Sequence, residues 1–117
     1  MALVDAGCIP YWTDLPTLDV WGLCDREFAR SGFSAAAVVA RNPEVYVMSV
    51  DITASGDLQP RLGMDRAMMN DSLFRKRYGL WKYCLGRTTT AVWRYDYAIL
   101  LNKAWAESRG MSLRSVD

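Results

Sequence analysis

The sequence predicts a small α/β sandwich: three parallel strands joined by crossover helices, extended by a C-terminal antiparallel hairpin. Three observations carry this. Val45-Tyr46-Val47-Met48-Ser49-Val50 is almost continuously apolar and rich in valine, as in a central strand covered on both faces. Asp19-Val20-Trp21-Gly22-Leu23-Cys24-Asp25-Arg26-Glu27-Phe28-Ala29-Arg30 reads as a strand end, a glycine turn and a helix start, half of a βαβ unit. Near the end of the chain, Trp93, Tyr95, Tyr97, Ile99 and Leu101 share one parity shortly after another strand-like run, the pattern of a hairpin.

The elements follow in order. Ala2-Leu3-Val4-Asp5 predicts a first strand, closed by Ala6-Gly7. Residues 8–13 predict a tight helical turn or loop, since Pro10 disfavours the helical region for Ile9 and cannot donate in a ladder. Residues 17–21 predict the second strand. Gly22 then lets the backbone turn where a side chain would obstruct it, Asp25 is placed as an N-cap, and Glu27 complements the helix dipole. This helix covers 26–30 and stops at Ser31-Gly32; Ser34 opens another over 35–41, stopped by Asn42-Pro43.

Beyond the strand at 45–50, residues 51–63 lack periodicity and read as a long mobile loop. Residues 64–78 predict one helix with Met64, Ala67, Met68, Phe74 and Tyr78 on one third of the wheel, although Asp71 and Arg75 intrude there. Residues 80–85 and 91–102 predict the hairpin strands about the turn Gly86-Arg87-Thr88. A short helix at 103–109 and a polar tail at 110–117, expected to fray, complete the chain. Crossovers make the first three strands parallel and right-handed in connection.

At 117 residues the chain is one domain with enough length for a core. A net charge of +1 makes no global electrostatic case for nucleic acid. The charge is uneven, however: residues 1–57 hold eight acids and three bases, residues 58–117 five acids and eleven bases. That asymmetry fits either two solvated faces or a basic surface meeting an anionic partner or membrane headgroups. There is no histidine, which removes the commonest general base and zinc ligand. Cys8, Cys24 and Cys84 form no C-x-x-C pair; they read as buried thiols, with a Cys8–Cys24 disulfide open in an oxidising compartment. No apolar run reaches the ~20 residues of a membrane span.

Asp5 and Asp25 fall just past predicted parallel strands, at the edge where open α/β sheets bind ligands. Asp19 falls within a strand, where a buried carboxylate needs a partner. With Tyr11 and Trp12 nearby, these carboxylates suit a sugar, whose hydroxyls donate to oxygens while its ring faces stack. The predicted substrate-binding set is therefore Asp5, Tyr11, Trp12, Asp19 and Asp25. Each has a weightier structural reading: Asp25 as a cap, Asp5 as a turn residue, Asp19 as a partner of Arg30 or Arg41, and the aromatics as packing. No catalytic residue, metal ligand or cofactor is assigned, since phosphate-loop, dinucleotide and nucleophile-elbow motifs are absent and neither Cys8 nor Cys24 has a histidine base.

Asp5-Ala6-Gly7-x-Ile9-Pro10-Tyr11-Trp12, Asp19-x-x-Gly22-Leu23-x-Asp25-x-x-x-Ala29-Arg30, Asn42-Pro43-Glu44-Val45 and Phe74-Arg75-x-x-Tyr78 together resemble the soluble C-terminal domain of bacterial polytopic GT-C glycosyltransferases of the arabinofuranosyltransferase-like kind. The similarity spans roughly residues 3 to 102. Cys24 departs from the Asn or Thr of that pattern and Phe28 from its aliphatic residue. In that family glycosyl transfer is assigned to acidic residues on loops of a membrane part, and none of those maps onto this chain. The resemblance thus implies a non-catalytic accessory domain on the periplasmic side, assisting a glycan or lipid-linked sugar or the membrane part itself. A chain complete as given would instead be cytoplasmic. The alternatives are a self-associating interaction module, working through an edge strand or the aromatic hairpin, and a small carbohydrate-active enzyme using Asp5, Asp19 or Asp25 as paired carboxylates.

Overall fold

In a computed structural model that describes residues 1–4, 8–22, 25–86 and 96–116, the valine-rich run becomes the middle of the sheet. This strand, β3 (Val45–Ile52), pairs in parallel with β1 (Ala2–Leu3), which pairs in parallel with β2 (Leu18–Asp19). On its other side β3 runs antiparallel to β6 (Asp96–Asn102), and β6 antiparallel to β5 (Tyr78–Cys84). The order β2-β1-β3-β6-β5 is the predicted mixed sheet, with three parallel strands and an antiparallel C-terminal pair. The turn predicted at Gly86-Arg87-Thr88 extends beyond the described residues.

Strand alternation sorts the side chains. Tyr46, Met48 and Val50 of β3, Ala98 and Leu100 of β6, and Tyr78 and Leu80 of β5 point to one face and are buried. Four short helices supply the opposing apolar groups: Phe28 from α2 (Arg26–Ser31), Val38 and Val39 from α3 (Ala35–Ala40), Met68 from α4 (Gly63–Asn70) and Phe74 from α5 (Ser72–Arg77). Phe74 meets Tyr46 edge-on at 5.3 Å and stacks on Tyr78 at 4.6 Å. The other face carries a different layer. It is flanked by α1 (Cys8–Thr13) and α6 (Lys103–Glu107); Val47 and Ser49 of β3 and Leu101 of β6 are buried there, so the middle of β3 is covered on both faces as expected, while Val45, Tyr97 and Ile99 are only half-buried.

Three local expectations are corrected. Residues 51–63 are not a long loop: β3 continues to Ile52 and turns back through β4 (Leu58–Pro60), with Val50 opposite Pro60 and Ile52 opposite Leu58. Side chains hold that turn, Thr53 Oγ1 accepting from Asp57 N–H at 3.0 Å and Ser55 Oγ donating to Asp57 Oδ2 at 2.6 Å. The single helix over 64–78 is broken at Asp71, whose extended backbone ends α4 and whose carboxylate accepts from Phe74 N–H at 2.7 Å to start α5. Tyr78 accordingly begins a strand, and its hydroxyl donates to Pro43 O at 2.6 Å. Finally, the tail does not fray at 110–116. Arg114 and Leu80 exchange both backbone hydrogen bonds at 2.9 Å, placing the tail along the outer edge of β5.

The organising stretch behaves as its sequence predicts. Gly22 has φ +89°, and a Cβ there would lie 2.7 Å from the backbone of Phe28 and Ala29. Helix α2 is thus seated directly on the glycine. Gly22→Ala is expected to destabilise the fold by more than the ~1–3 kcal/mol of left-handed strain alone, because the clashing atoms are main chain. Urea melts of the two proteins measure the difference.

Candidate functional site

The predicted sugar-binding residues do not converge on a site. Asp5 lies outside the described residues. Asp19 is buried, and its Oδ1 accepts from Trp21 N–H at 3.0 Å and Gly22 N–H at 3.3 Å, holding the turn that presents Gly22 to α2. Asp25 Oδ1 accepts from Glu27 N–H and Phe28 N–H at 3.0 and 3.2 Å, and its Oδ2 meets Arg41 at 3.2 Å. Arg41 also pairs with Glu27 at 2.7 Å, so the depression around Asp25, Arg30 and Arg41 is a crossed ion-pair cluster between α2 and α3. Of the two partners suggested for Asp19, Arg30 and Arg41, Arg41 pairs with Asp25 and Glu27. Tyr11 and Trp12, at 78% and 79% exposure, pack edge-on against each other on α1 rather than into the core. The proposed Cys8–Cys24 disulfide also falls outside what is described; Cys84 is a free, exposed thiol.

One carboxylate missed from the sequence has a distinct environment. Asp65 on α4 is fully buried, accepting from Tyr46 Oη at 2.9 Å and from Ser49 N–H at 3.1 Å. Burial pushes its carboxyl up from 3.8 to about 6, against the lowering effect of these two hydrogen bonds. The same burial, with the Asp65 charge beside it, raises the Tyr46 hydroxyl well above its ordinary value. The pair locks α4 to β3. It opens onto no cavity and works as structure.

Among the described residues, a concave apolar surface lies on the other face of the sheet, a groove of about 470 Å³. Its floor is the odd parity of the central strands: Val45 and Val47 of β3, then Tyr97, Ile99 and Leu101 of β6. Its sides come from Ile9 and Thr13 of α1 and from Trp105 and Met111 around α6. A β-bulge completes it. Register runs Leu80 opposite Leu100 and then Lys82 opposite Ile99, so Trp81 is the extra residue. That insertion switches the parity of β5, sending Lys82 and Cys84 to the groove side with Ile99 and Tyr97. Trp81 and Cys84 line the groove, and its described lining is mostly apolar. At the far end Asn102 closes β6 and starts α6, its Oδ1 accepting from Trp105 N–H at 3.2 Å, while its Nδ2 donates to Asn42 Oδ1 at 2.9 Å. These contacts fix Trp105 against the sheet.

The sequence carried a signal for this face in the shared parity of Tyr97, Ile99 and Leu101. It did not reveal that four helices would pack on the even face while only α1 and α6 flank the odd one. Among the described residues no group of His, Cys, Asp and Glu could hold a metal ion, and no helix is long and apolar enough to cross a membrane.

Two substitutions test the structural assignments. Asp25→Ala removes a cap and an ion-pair partner and is expected to cost ~1 kcal/mol in denaturant melts. For Asp65, the folded state keeps a proton between about pH 4 and 6 that the unfolded chain has lost, so this group's contribution to stability falls as pH rises through that window. Asp65→Asn is neutral throughout, so the difference in stability between wild type and variant is expected to shift against wild type from pH 4 to pH 6. Melts across that range supply the comparison, and a constant difference would refute the assignment.

No curated protein and no solved structure shows a significant match to this chain. The model of a domain of unknown function, DUF8728, matches residues 1–107, and the chain belongs to that family.

Proposed function

We propose that this chain is a non-catalytic accessory domain of the kind carried by membrane glycosyltransferases, a binding surface at the periplasmic face in cell-envelope assembly. The observation that best supports this is the apolar groove on the open side of the sheet. A surface of this kind is made for contact, since soluble proteins seldom leave a concave apolar face without a use. The partners it suits are the apolar portion of a lipid-linked sugar or the membrane-embedded part of a parent protein.

The carboxylates argue against an enzyme. Acid–base work on a glycoside needs two carboxyl groups set across a cleft. Asp19 and Asp25 instead accept from backbone amides at a turn and a cap, and Asp65 is sealed beneath α4. From the segment resembling the glycosyltransferase tails, Asp19, Gly22 and Asp25 build the corner where β2 leads into α2. Its likeness to those tails therefore concerns how the domain is constructed, with no catalytic group carried over.

The purified 117-residue chain is expected to transfer no sugar from a lipid-linked donor and to hydrolyse no envelope oligosaccharide, as followed by chromatography of labelled substrate. Turnover that disappears in Asp19→Asn or Asp25→Asn, with the variants still folded, would overturn the reading in favour of a carbohydrate-active enzyme.

A further inference from the structure

The groove has a chemical asymmetry that narrows its occupant. Its volume, about 470 Å³, lies within the ~300–1,000 Å³ of ordinary ligand pockets, and its described lining is mostly aliphatic and aromatic, with no charged side chain among the described residues that line it. Charge stands at its margins instead. Lys82 Nζ lies 5.0 Å from the centroid of Trp81, and the Arg109 guanidinium 4.2 Å from that of Trp105, and both rings line the groove. Lys82 leaves the sheet on the groove side because it sits opposite Ile99. Arg109 is held at its wall by hydrogen bonds to Trp105 O at 3.4 Å and Ser108 Oγ at 3.1 Å. Both cations rest on indole faces and remain exposed.

We propose that the groove holds the hydrocarbon chain of a single anionic amphiphile, a lipid with a phosphate-type headgroup, the headgroup lying against Lys82 and Arg109. This rests on reading the open face as a binding surface and adds what it binds. Concavity favours one withdrawn chain over the plane of a bilayer. Charge disfavours a second copy of the chain. A two-fold contact sets the same patch against itself, so Lys82 and Arg109 would face their own kind.

Calorimetric titration of the chain with monomeric dodecyl phosphate tests this, beside neutral dodecyl maltoside, inorganic phosphate, and vesicles of phosphatidylcholine with and without phosphatidylglycerol. Saturable one-to-one binding of dodecyl phosphate is expected, weaker binding of dodecyl maltoside, and none of inorganic phosphate. The exposed-rim double variant Lys82→Glu, Arg109→Glu should lose at least roughly twenty-five-fold in affinity for dodecyl phosphate, about fivefold per cation, and little for dodecyl maltoside. Ile99→Glu should abolish both; should that variant not fold, the rim variant alone decides. Equal affinity for the charged and neutral amphiphiles, binding of phosphate alone, binding of vesicles without binding of monomers, or a dimer dissociated by the rim variant would each overturn the proposal. A chain that neither turns over sugar nor binds dodecyl phosphate defeats this inference and leaves the accessory reading standing, whereas sugar turnover defeats that reading whatever the amphiphile result.

Discussion

The antiparallel pairing of β3 with β6 is the constraint on which both surfaces of this protein depend. Val45 lies opposite Leu101, and the register continues without interruption to Val50 opposite Asp96. Every even position of β3 therefore meets the helical layer and every odd position the open face. A slip of one residue would exchange the two sets, putting Tyr46 out of reach of Asp65 and Val47 into the core. The Asp65 contacts to Tyr46 and Ser49 oppose such a slip, since they require one side chain and one backbone amide of β3 at fixed positions. A buried carboxylate is costly to leave unpartnered, so this lock specifies register as well as holding α4.

Carboxylates are used in this fold mainly to satisfy backbone donors where chain direction changes. Asp19 does so at the Gly22 turn, and Asp25 and Asp71 do so at helix starts. With helices of five to eight residues, unsatisfied terminal amides form a large share of each helix, and caps matter accordingly. The helices cannot be stable alone at this length and depend on the apolar groups they bury. All four that contribute to the main core do so on one side, which leaves α1 and α6 to flank the other.

The groove follows from that unequal division. Its floor would be an ordinary sheet face if β5 were regular. The bulge at Trp81 changes this by bringing an indole, Lys82 and Cys84 to the same side as Ile99 and Tyr97. A second indole, Trp105, is set by the Asn102 cap at the end of β6. Two aromatic walls carrying cations thus arise from a bulge and a cap. The basic bias of residues 58–117 finds a local expression there in Lys82 and Arg109. The proposed accessory role and the proposed anionic amphiphile both draw on this face, and neither needs a reactive group.

By itself the sequence determined the fold class, the parallel and antiparallel halves of the sheet, the Gly22 turn, and the caps at Asp25 and Ser34, because each is written in neighbouring residues. Parity and caps are local, so they survive being read without partners. The tertiary structure decided what is non-local. It folded residues 51–60 back as a hairpin, because β3 runs on past its parallel contact with β1, which ends at Val47, and β4 pairs with that edge. It broke the helix at Asp71, where a capping carboxylate outweighed a continuous apolar stripe. It also pinned the tail on β5 and withdrew Asp19 from any sugar. Above all, it chose which apolar face of the sheet would be covered. Odd and even positions of β3 are both apolar in sequence, and only the placement of the helices distinguishes a core from a groove.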